Sequence, residues 1–115
     1  MKTIQKTRTL TALTGDFVVR TDATGSFDYV RIKTPLDFTS EAEALLIKSL
    51  ASKFDILVGK VKLIVARYGS PLSHLAIVSR EHGVKIFVTS DDIDQLPDSG
   101  QFIVTKEGVS WADKK

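Results

Sequence analysis

The chain has 115 residues, of which 43% are hydrophobic and 26% are charged, and it contains no cysteine. This length and composition are typical of one ordinary globular domain, and we expect a single domain over residues 1–115. The lack of cysteine excludes thiolate catalysis and cysteine-ligated zinc or iron–sulfur centres. The net charge of +2 arises from 16 basic and 14 acidic residues spread along the chain. Since no basic stripe stands out, we expect no nucleic-acid partner.

The first residues, Met1 to Arg8, hold no apolar run that could serve as the core of a signal peptide. No segment of the sequence reaches the length of apolar residues needed to cross a membrane. We therefore expect a soluble, cytoplasmic protein without a membrane partner.

The first third of the chain has the pattern of strands. Thr3 to Leu13 is rich in threonine and alternates loosely, and Phe17 to Arg20 follows a turn at residues 14–16. We therefore predict two strands that are joined tightly. The alternation of Tyr29 to Ile32 predicts a third strand, exposed on one face and stopped by Pro35.

A helix is predicted over residues 40–54. Ser40 and Glu43 form the pattern of a capping box, and apolar residues follow at helical spacing. The next two apolar stretches, 55–58 and 61–66, are predicted as strands around a glycine turn. The second stretch ends in Leu63 to Ala66 without a polar interruption, which favours a central position in a sheet.

The last third of the chain alternates helix and strand signals. Together with the earlier segments, they predict an α/β fold with a mixed sheet flanked by helices at about 40–54 and 73–82. The predicted elements here are a helix over 73–82, a strand over 85–88, a helical turn over 91–96 that begins at Ser90, and a hairpin of 102–104 with 109–111.

The segment that leads into the 73–82 helix carries the most specific signals. Ser73 is a good N-cap, Gly83 is placed to end the helix, and Leu72 and Ile77 have the spacing of a hydrophobic staple. His74 then occupies the first helical position. Unpaired N–H groups and the helix dipole favour an anion at such a position by about 0.3–1 kcal/mol.

These properties suit an imidazole that carries a phosphoryl group. The positive end of the helix disfavours the imidazolium form, and the neutral ring is the nucleophile that phosphoryl transfer requires. Gly69 lets the backbone approach a bound oxyanion, while Ser70 and Ser73 can donate hydroxyl hydrogen bonds to it. We therefore predict His74 as the catalytic residue and Gly69, Ser70 and Ser73 as phosphate-binding residues, with no metal held by this chain. On the residues alone, His74 as a surface or packing residue stays open.

The motif Gly69-x-x-x-Ser73-His74-x-Ala76-Ile77-Val78-x-Arg80-x-x-Gly83 resembles the signature of the phosphohistidine swivelling domain. That mobile domain belongs to the phosphoenolpyruvate-utilising enzymes: pyruvate phosphate dikinase, phosphoenolpyruvate synthase and enzyme I of the sugar phosphotransferase system. Looser similarity at residues 28–35 and 98–100 extends the resemblance over most of the chain. It implies a swivelling β/β/α-type domain whose histidine, here His74, takes a phosphoryl group at one active site and delivers it at another.

The chain also departs from the family pattern. Ser70 and Leu72 stand where the family has a second glycine and a threonine, and Lys85 replaces the proline common after the helix. A regulatory phosphothreonine is therefore excluded at Leu72. The nucleotide-binding and phosphoenolpyruvate-binding domains of those enzymes do not fit within 115 residues. The resemblance thus implies a freestanding phosphocarrier, a phosphotransferase component that needs protein partners carrying those domains. It would bind no cofactor itself, with Mg²⁺ only in the active sites of the partners.

Two other functions stay open at this stage. The first is a non-catalytic binding or regulatory module that keeps the swivelling-domain fold and docks through the altered loop or an exposed rim around Lys85. The second is a structural domain that was once part of a larger enzyme. Structural or contact roles are assigned to six other residues, namely Arg80, His82, Asp91, Asp92, Phe102 and Trp111.

Overall fold

A computed structural model describes residues 10–112, which form one eight-stranded mixed sheet, one α-helix and three 3₁₀ helices. The 3₁₀ helix Ser52–Lys60 is called the 52–60 helix below; the other two span Pro35–Asp37 and Ile93–Gln95. The α-helix, α1, spans His74–His82. The strands are β1 (Leu10–Ala12), β2 (Gly15–Val19), β3 (Gly25–Arg31), β4 (Ala44–Ser49), β5 (Leu63–Tyr68), β6 (Lys85–Thr89), β7 (Ser99–Val104) and β8 (Val109–Ala112).

The strands follow the order β1-β8-β7-β3-β4-β5-β6-β2 across the sheet. β3, β4, β5 and β6 run parallel, while the other neighbouring pairs are antiparallel. The first four residues of β4 and of β5 are apolar and buried without a polar interruption. Such runs are typical of parallel strands that are covered on both faces. The predicted α/β class with a mixed sheet is confirmed.

Each face of the sheet carries an apolar core. On one face, Leu45 and Ile64 of the central strands share a buried cluster with Phe54 of the 52–60 helix and Leu75 of α1. The neighbouring residues along the same strands point to the opposite face and join a second cluster. In that cluster Tyr29 stacks on Phe102, with 4.2 Å between ring centroids.

The first two strands lie at opposite edges of the sheet. β1 pairs with β8 and β2 pairs with β6, and only Leu13 and Thr14 connect them. The Leu13 N–H donates to the Val109 carbonyl at 2.9 Å, and the Thr14 carbonyl accepts from the Ser90 N–H at 2.7 Å. The sheet must therefore curve so that its two edge strands come close enough for two residues to connect them. The prediction of two strands that are joined tightly is confirmed for the short connection, although the strands pair with β8 and β6 and not with each other. Residues 3–9 of the first predicted strand lie outside the described residues.

The predicted helix over 40–54 is wrong. Its apolar residues form β4 in the middle of the sheet, and the 52–60 helix follows. The predicted strand over 55–58 is also wrong, because those residues lie within the 52–60 helix. Residues 44–47 are apolar and rich in helix formers, but they pair with a parallel strand on each side and an apolar cluster covers each of their faces. This tertiary environment overrides local propensity.

The exposed face predicted for Tyr29 to Ile32 is not found. β3 lies between β7 and β4, Tyr29 joins one core, and Val30 packs against the other. The strand itself is confirmed, as are the strands over 61–66 and 85–88, the helix over 73–82 and the final hairpin. The predicted turn over 91–96 is a 3₁₀ helix capped by Asp92 rather than Ser90. Among residues 10–112, we find no helix that could span a bilayer.

Candidate functional site

The segment that carries His74 lies at the carboxyl edge of the parallel strands. β5 ends at Tyr68, and the chain passes through residues 69–73 before α1 begins. The 52–60 helix starts at the same edge, shortly after the end of β4 at Ser49. In α/β sheets this edge is where ligands usually bind.

Gly69 is required by the local packing. Its φ of +152° is rarely adopted by residues with a side chain, and a Cβ there would lie 2.4 Å from side-chain atoms of Leu50. The close approach to Leu50 fixes the path by which the chain leaves β5. The glycine predicted to admit an oxyanion therefore also has a structural reason to be present.

The two predicted serines hold the loop in shape. The Ser70 hydroxyl oxygen accepts from the Leu72 N–H at 3.1 Å, and the Ser73 hydroxyl oxygen accepts from the Ala76 N–H at 3.2 Å. The second bond is the predicted N-cap of α1. Because each hydroxyl uses its oxygen to accept, its hydrogen stays available to donate to a bound anion.

The other end of α1 also matches its sequence signals. Gly83 has a φ of +73°, and its N–H donates to the carbonyls of Arg80 and Ser79. This is the left-handed C-cap that glycine favours. With both ends capped, His74 is the first residue of α1, as predicted.

His74 is paired with a residue from the neighbouring helix. Its Nδ1 lies 2.5 Å from Oδ2 of Asp55. The His74 side chain is 66% exposed, whereas that of Asp55 is 23% exposed. The ring is thus open to solvent and partners while the carboxylate behind it is largely enclosed.

This pair sets the tautomer of the ring. A carboxylate at Nδ1 accepts the proton of that nitrogen, which leaves the lone pair on Nε2. Nε2 is then the nucleophilic atom, and the carboxylate can compensate positive charge that develops on the ring. The second oxygen of Asp55, Oδ1, is buried without a hydrogen-bond partner among the described residues. Burying an unpaired carboxylate oxygen costs free energy, as is common at functional sites.

Sequence reasoning missed Asp55 because it predicted residues 55–58 as a strand. A signal was nevertheless present, since Phe54, Leu57 and Val58 are the buried residues of the 52–60 helix and have helical spacing. That spacing would have placed Asp55 in the first turn of a helix beginning at the carboxyl edge of β4. A carboxylate there is a candidate partner for a residue on the next crossover.

Exposed apolar side chains lie close to the pair in sequence. Leu72, two residues before His74, is 84% exposed, and Ile77, one turn after it, is 41% exposed. Ile56, which follows Asp55, is exposed as well. We call Ile56, Leu72 and Ile77 the apolar rim. The predicted staple between Leu72 and Ile77 therefore does not bury these side chains.

Several residues outside the motif have the structural roles predicted for them. Nδ1 of His82 lies 3.0 Å from the Val78 carbonyl. Asp91 accepts from the Thr14 N–H at 2.7 Å, and Asp92 caps the 93–95 helix. Trp111 donates from Nε1 to the Tyr29 hydroxyl at 3.0 Å. No group of three or more potential metal ligands is found within residues 10–112.

The exposed rim predicted around Lys85 is wrong at Lys85 itself. Its side chain is buried, and Nζ donates to the Ala23 carbonyl at 2.6 Å and lies 4.8 Å from the centre of the Phe17 ring. Lys85 is the first residue of β6, between β5 and β2, so its long side chain is covered. A docking surface cannot depend on this residue.

Comparison with known proteins adds no assignment. No protein-family model matches the chain, and no curated protein is significantly similar to it in sequence. The resemblance to the swivelling domains therefore stays a prediction that depends on the residues of the motif.

Proposed function

We propose that this chain is a phosphocarrier, a swivelling β/β/α-type domain over residues 1–115 that accepts and donates a phosphoryl group through His74. The observation that supports this best is the hydrogen bond between His74 Nδ1 and Asp55 Oδ2. It gives an exposed ring one basic nitrogen, directed away from the carboxylate, at the start of a capped helix.

In the proposed transfer, the lone pair of Nε2 attacks the phosphorus atom of an organic phosphate that a partner protein presents. The N–P bond forms while the P–O bond to the leaving group breaks, and the leaving oxygen keeps the bonding pair. Pyruvate enolate or a nucleotide would be the leaving group in phosphoenolpyruvate/pyruvate-type phosphotransfer. The Nδ1 proton stays between the ring and Asp55. Return of the phosphoryl group to an acceptor restores the lone pair on Nε2.

The loop and helix favour the phosphorylated state. The N-terminal N–H groups of α1 favour negative charge next to His74. Ser70 and Ser73 have hydroxyl hydrogens to donate to phosphoryl oxygens, because their oxygens already accept from the backbone. Gly69, which lacks a side chain, leaves the loop backbone accessible to the same group.

A carrier of this kind works only with partners. We propose cytoplasmic protein partners with nucleotide- or phosphoenolpyruvate-binding domains, which would also hold the Mg²⁺ that neutralises the donor phosphates. The exposed side chains of the apolar rim favour contact with a partner protein during transfer, since exposed apolar side chains often mark sites of protein contact.

The same rim favours the alternative, a binding or regulatory module without transfer chemistry. The two functions differ in what they require of His74. A carrier loses all function without the imidazole, whereas a docking module depends mainly on the apolar contacts.

The test combines phosphoenolpyruvate or ATP with purified candidate partners and measures acid-labile, base-stable phosphate on the chain. We expect labelling of the wild type and of His82→Ala, a matched control on the same helix, and none of His74→Ala. Equal labelling of His74→Ala would reject the carrier. If instead no variant is labelled while partner binding survives His74→Ala and fails in Leu72→Asp, the binding module is favoured.

A further inference from the structure

A second concave site lies at the same sheet edge and contains no residue of the His74 loop. It is a cleft of about 500 Å³ beside the ends of β3 and β4. Its walls include Lys33, Lys48, Lys53, Phe54 and Ile93. Lys53 and Phe54 belong to the first turn of the 52–60 helix, and the next residue, Asp55, contacts His74. The cleft and the candidate transfer site thus share the first turn of the 52–60 helix.

The cleft is strongly basic. Lys33, Lys48 and Lys53 are exposed, and the ion pairs found among residues 10–112 do not include them. Asp94 is the acidic residue among the lining residues, and its side chain is 85% exposed. Three ammonium groups around one cavity repel each other, so an anion that enters it is favoured.

Arg31 adds a fourth positive charge but has a different role. Its Nη2 donates to the carbonyls of Ile93 and Leu96 at 2.7 and 2.5 Å, and its Nε donates to Asp98 at 3.0 Å. The guanidinium is therefore committed to holding the 93–95 helix against β3. It makes one wall of the cleft rigid and leaves ligand contacts to the lysines.

The apolar part of the cleft indicates a ligand that is more than a simple ion. The Lys53 Nζ lies 5.3 Å from the centre of the Phe54 ring, which is 3% exposed, and the partly exposed Ala51 lines the same wall, so an ammonium group and apolar side chains occur together there. A cavity of this volume suits a small molecule, since ligand pockets measure roughly 300–1,000 Å³. A protein partner would instead need a surface of roughly 800 Å² on each side.

We propose that this cleft binds a small organic phosphate, with the phosphate between Lys33, Lys48 and Lys53 and the apolar body against the apolar wall that begins at Ala51. Lysine is a common phosphate ligand that acts as a point charge, and a phosphate monoester carries about two negative charges at neutral pH. This inference does not depend on phosphoryl transfer through His74, because binding requires only the folded chain.

The test is an NMR titration of the ¹⁵N-labelled full chain with adenosine monophosphate, and with inorganic phosphate as the probe that lacks an apolar body. In low-salt buffer we expect saturable shifts of amides around Lys48 and Phe54, and tighter binding of adenosine monophosphate than of phosphate. The double variant Lys33→Gln, Lys48→Gln should raise the Kd by roughly tenfold or more, since two charge-assisted contacts are lost. Both lysines are exposed, so the variant should keep its fold.

The matched control is Lys60→Gln, Lys62→Gln, which removes two exposed lysines at the amino end of β5 and changes the net charge equally. We expect its Kd to equal that of the wild type. Absence of saturable shifts at millimolar adenosine monophosphate, or an equal loss in both double variants, would overturn the proposal. Equal affinity for the two probes would overturn the role of the apolar wall. A His74→Ala chain that binds normally but cannot be labelled would separate this site from the carrier function.

Discussion

Asp55 and His74 are 19 positions apart in the chain, yet Oδ2 of the carboxylate lies 2.5 Å from Nδ1 of the imidazole. Each residue stands in the first turn of a helix that follows a parallel strand, Asp55 after β4 and His74 after β5. Parallel neighbours bring the two connections together at one edge of the sheet. A pair of groups with complementary chemistry is thus created by topology rather than by local sequence.

The first prediction concerns the nitrogen that is modified. Because Asp55 engages Nδ1, we expect the phosphoryl group on Nε2 of His74. The check is a ³¹P and ¹⁵N NMR spectrum of the phosphorylated chain, in which the two isomers of phosphohistidine have distinct shifts. A spectrum of the Nδ1 isomer would contradict the proposed role of the pair.

The second prediction is that Asp55→Asn slows phosphorylation of His74 by roughly 10²-fold or more while the chain stays folded. The amide cannot compensate positive charge on the ring, and it can donate to Nδ1 and so favour the other tautomer. A time course of quenched labelling reactions gives the rate of phosphorylation, and the ¹⁵N chemical shifts of the His74 ring give its tautomer. The control is Glu81→Gln, which neutralises an exposed carboxylate on α1. A slow variant with an unchanged tautomer would assign Asp55 a purely structural role.

The third prediction compares two glycines. Gly69→Ala should lower the free energy of unfolding by about 1–3 kcal/mol, because the new Cβ meets Leu50 and the backbone has a positive φ. Gly59→Ala is the control, since a Cβ there has no heavy atom within 4 Å and its φ is ordinary. Urea denaturation measures both. Equal effects of the two substitutions would show that the Gly69–Leu50 contact is not restrictive.

The fourth prediction is a pH dependence at Lys85. Burial lowers the pKa of Lys85 below its ordinary value of 10.5, the Arg20 charge lowers it further, and Asp22 raises it in part. Between the lowered pKa and 10.5 the unfolded chain binds more protons than the folded protein. The contribution of Lys85 to the free energy of unfolding should therefore rise with pH across that window and stay flat below it.

Urea denaturation of the wild type and of Lys85→Met at a series of alkaline pH values checks this. The unfolding free energy of the wild type minus that of Lys85→Met should increase as the pH increases. Lys62→Met, which removes an exposed lysine, is the control for the loss of one lysine charge. Parallel pH profiles for wild type and Lys85→Met would contradict the prediction.

Sequence patterns predicted the elements whose signals are local. The caps of α1 at Ser73 and Gly83 involve backbone groups within a few residues, so the helix and the place of His74 in it follow from the sequence. The final hairpin is likewise a local pairing around a turn. Strand β5 was predictable because its first four residues, Leu63 to Ala66, are all apolar.

The elements that failed depend on distant partners. Residues 44–47 favour a helix by propensity and form a strand because β3 and β5 lie on either side of them. Asp55 was missed together with its helix, and the burial of Lys85 follows from its place between β5 and β2. No local pattern encodes which strands become neighbours. The position of His74 was therefore predictable and its contact with Asp55 was not, although helical spacing could have placed Asp55 in a first turn.

The pairing of β1 with β8 and of β2 with β6 also bears on the order of events during folding. Leu10 lies opposite Ala112, and Gly15 lies opposite Thr89, so residues near the start of the chain find their partners in its last third. Contacts of such large sequence separation form slowly, because a long loop must close before they contribute. On the ribosome, β1 and β2 emerge first and must wait for nearly the whole polypeptide, so until β6 and β8 follow, these early strands are open to pairing with other chains.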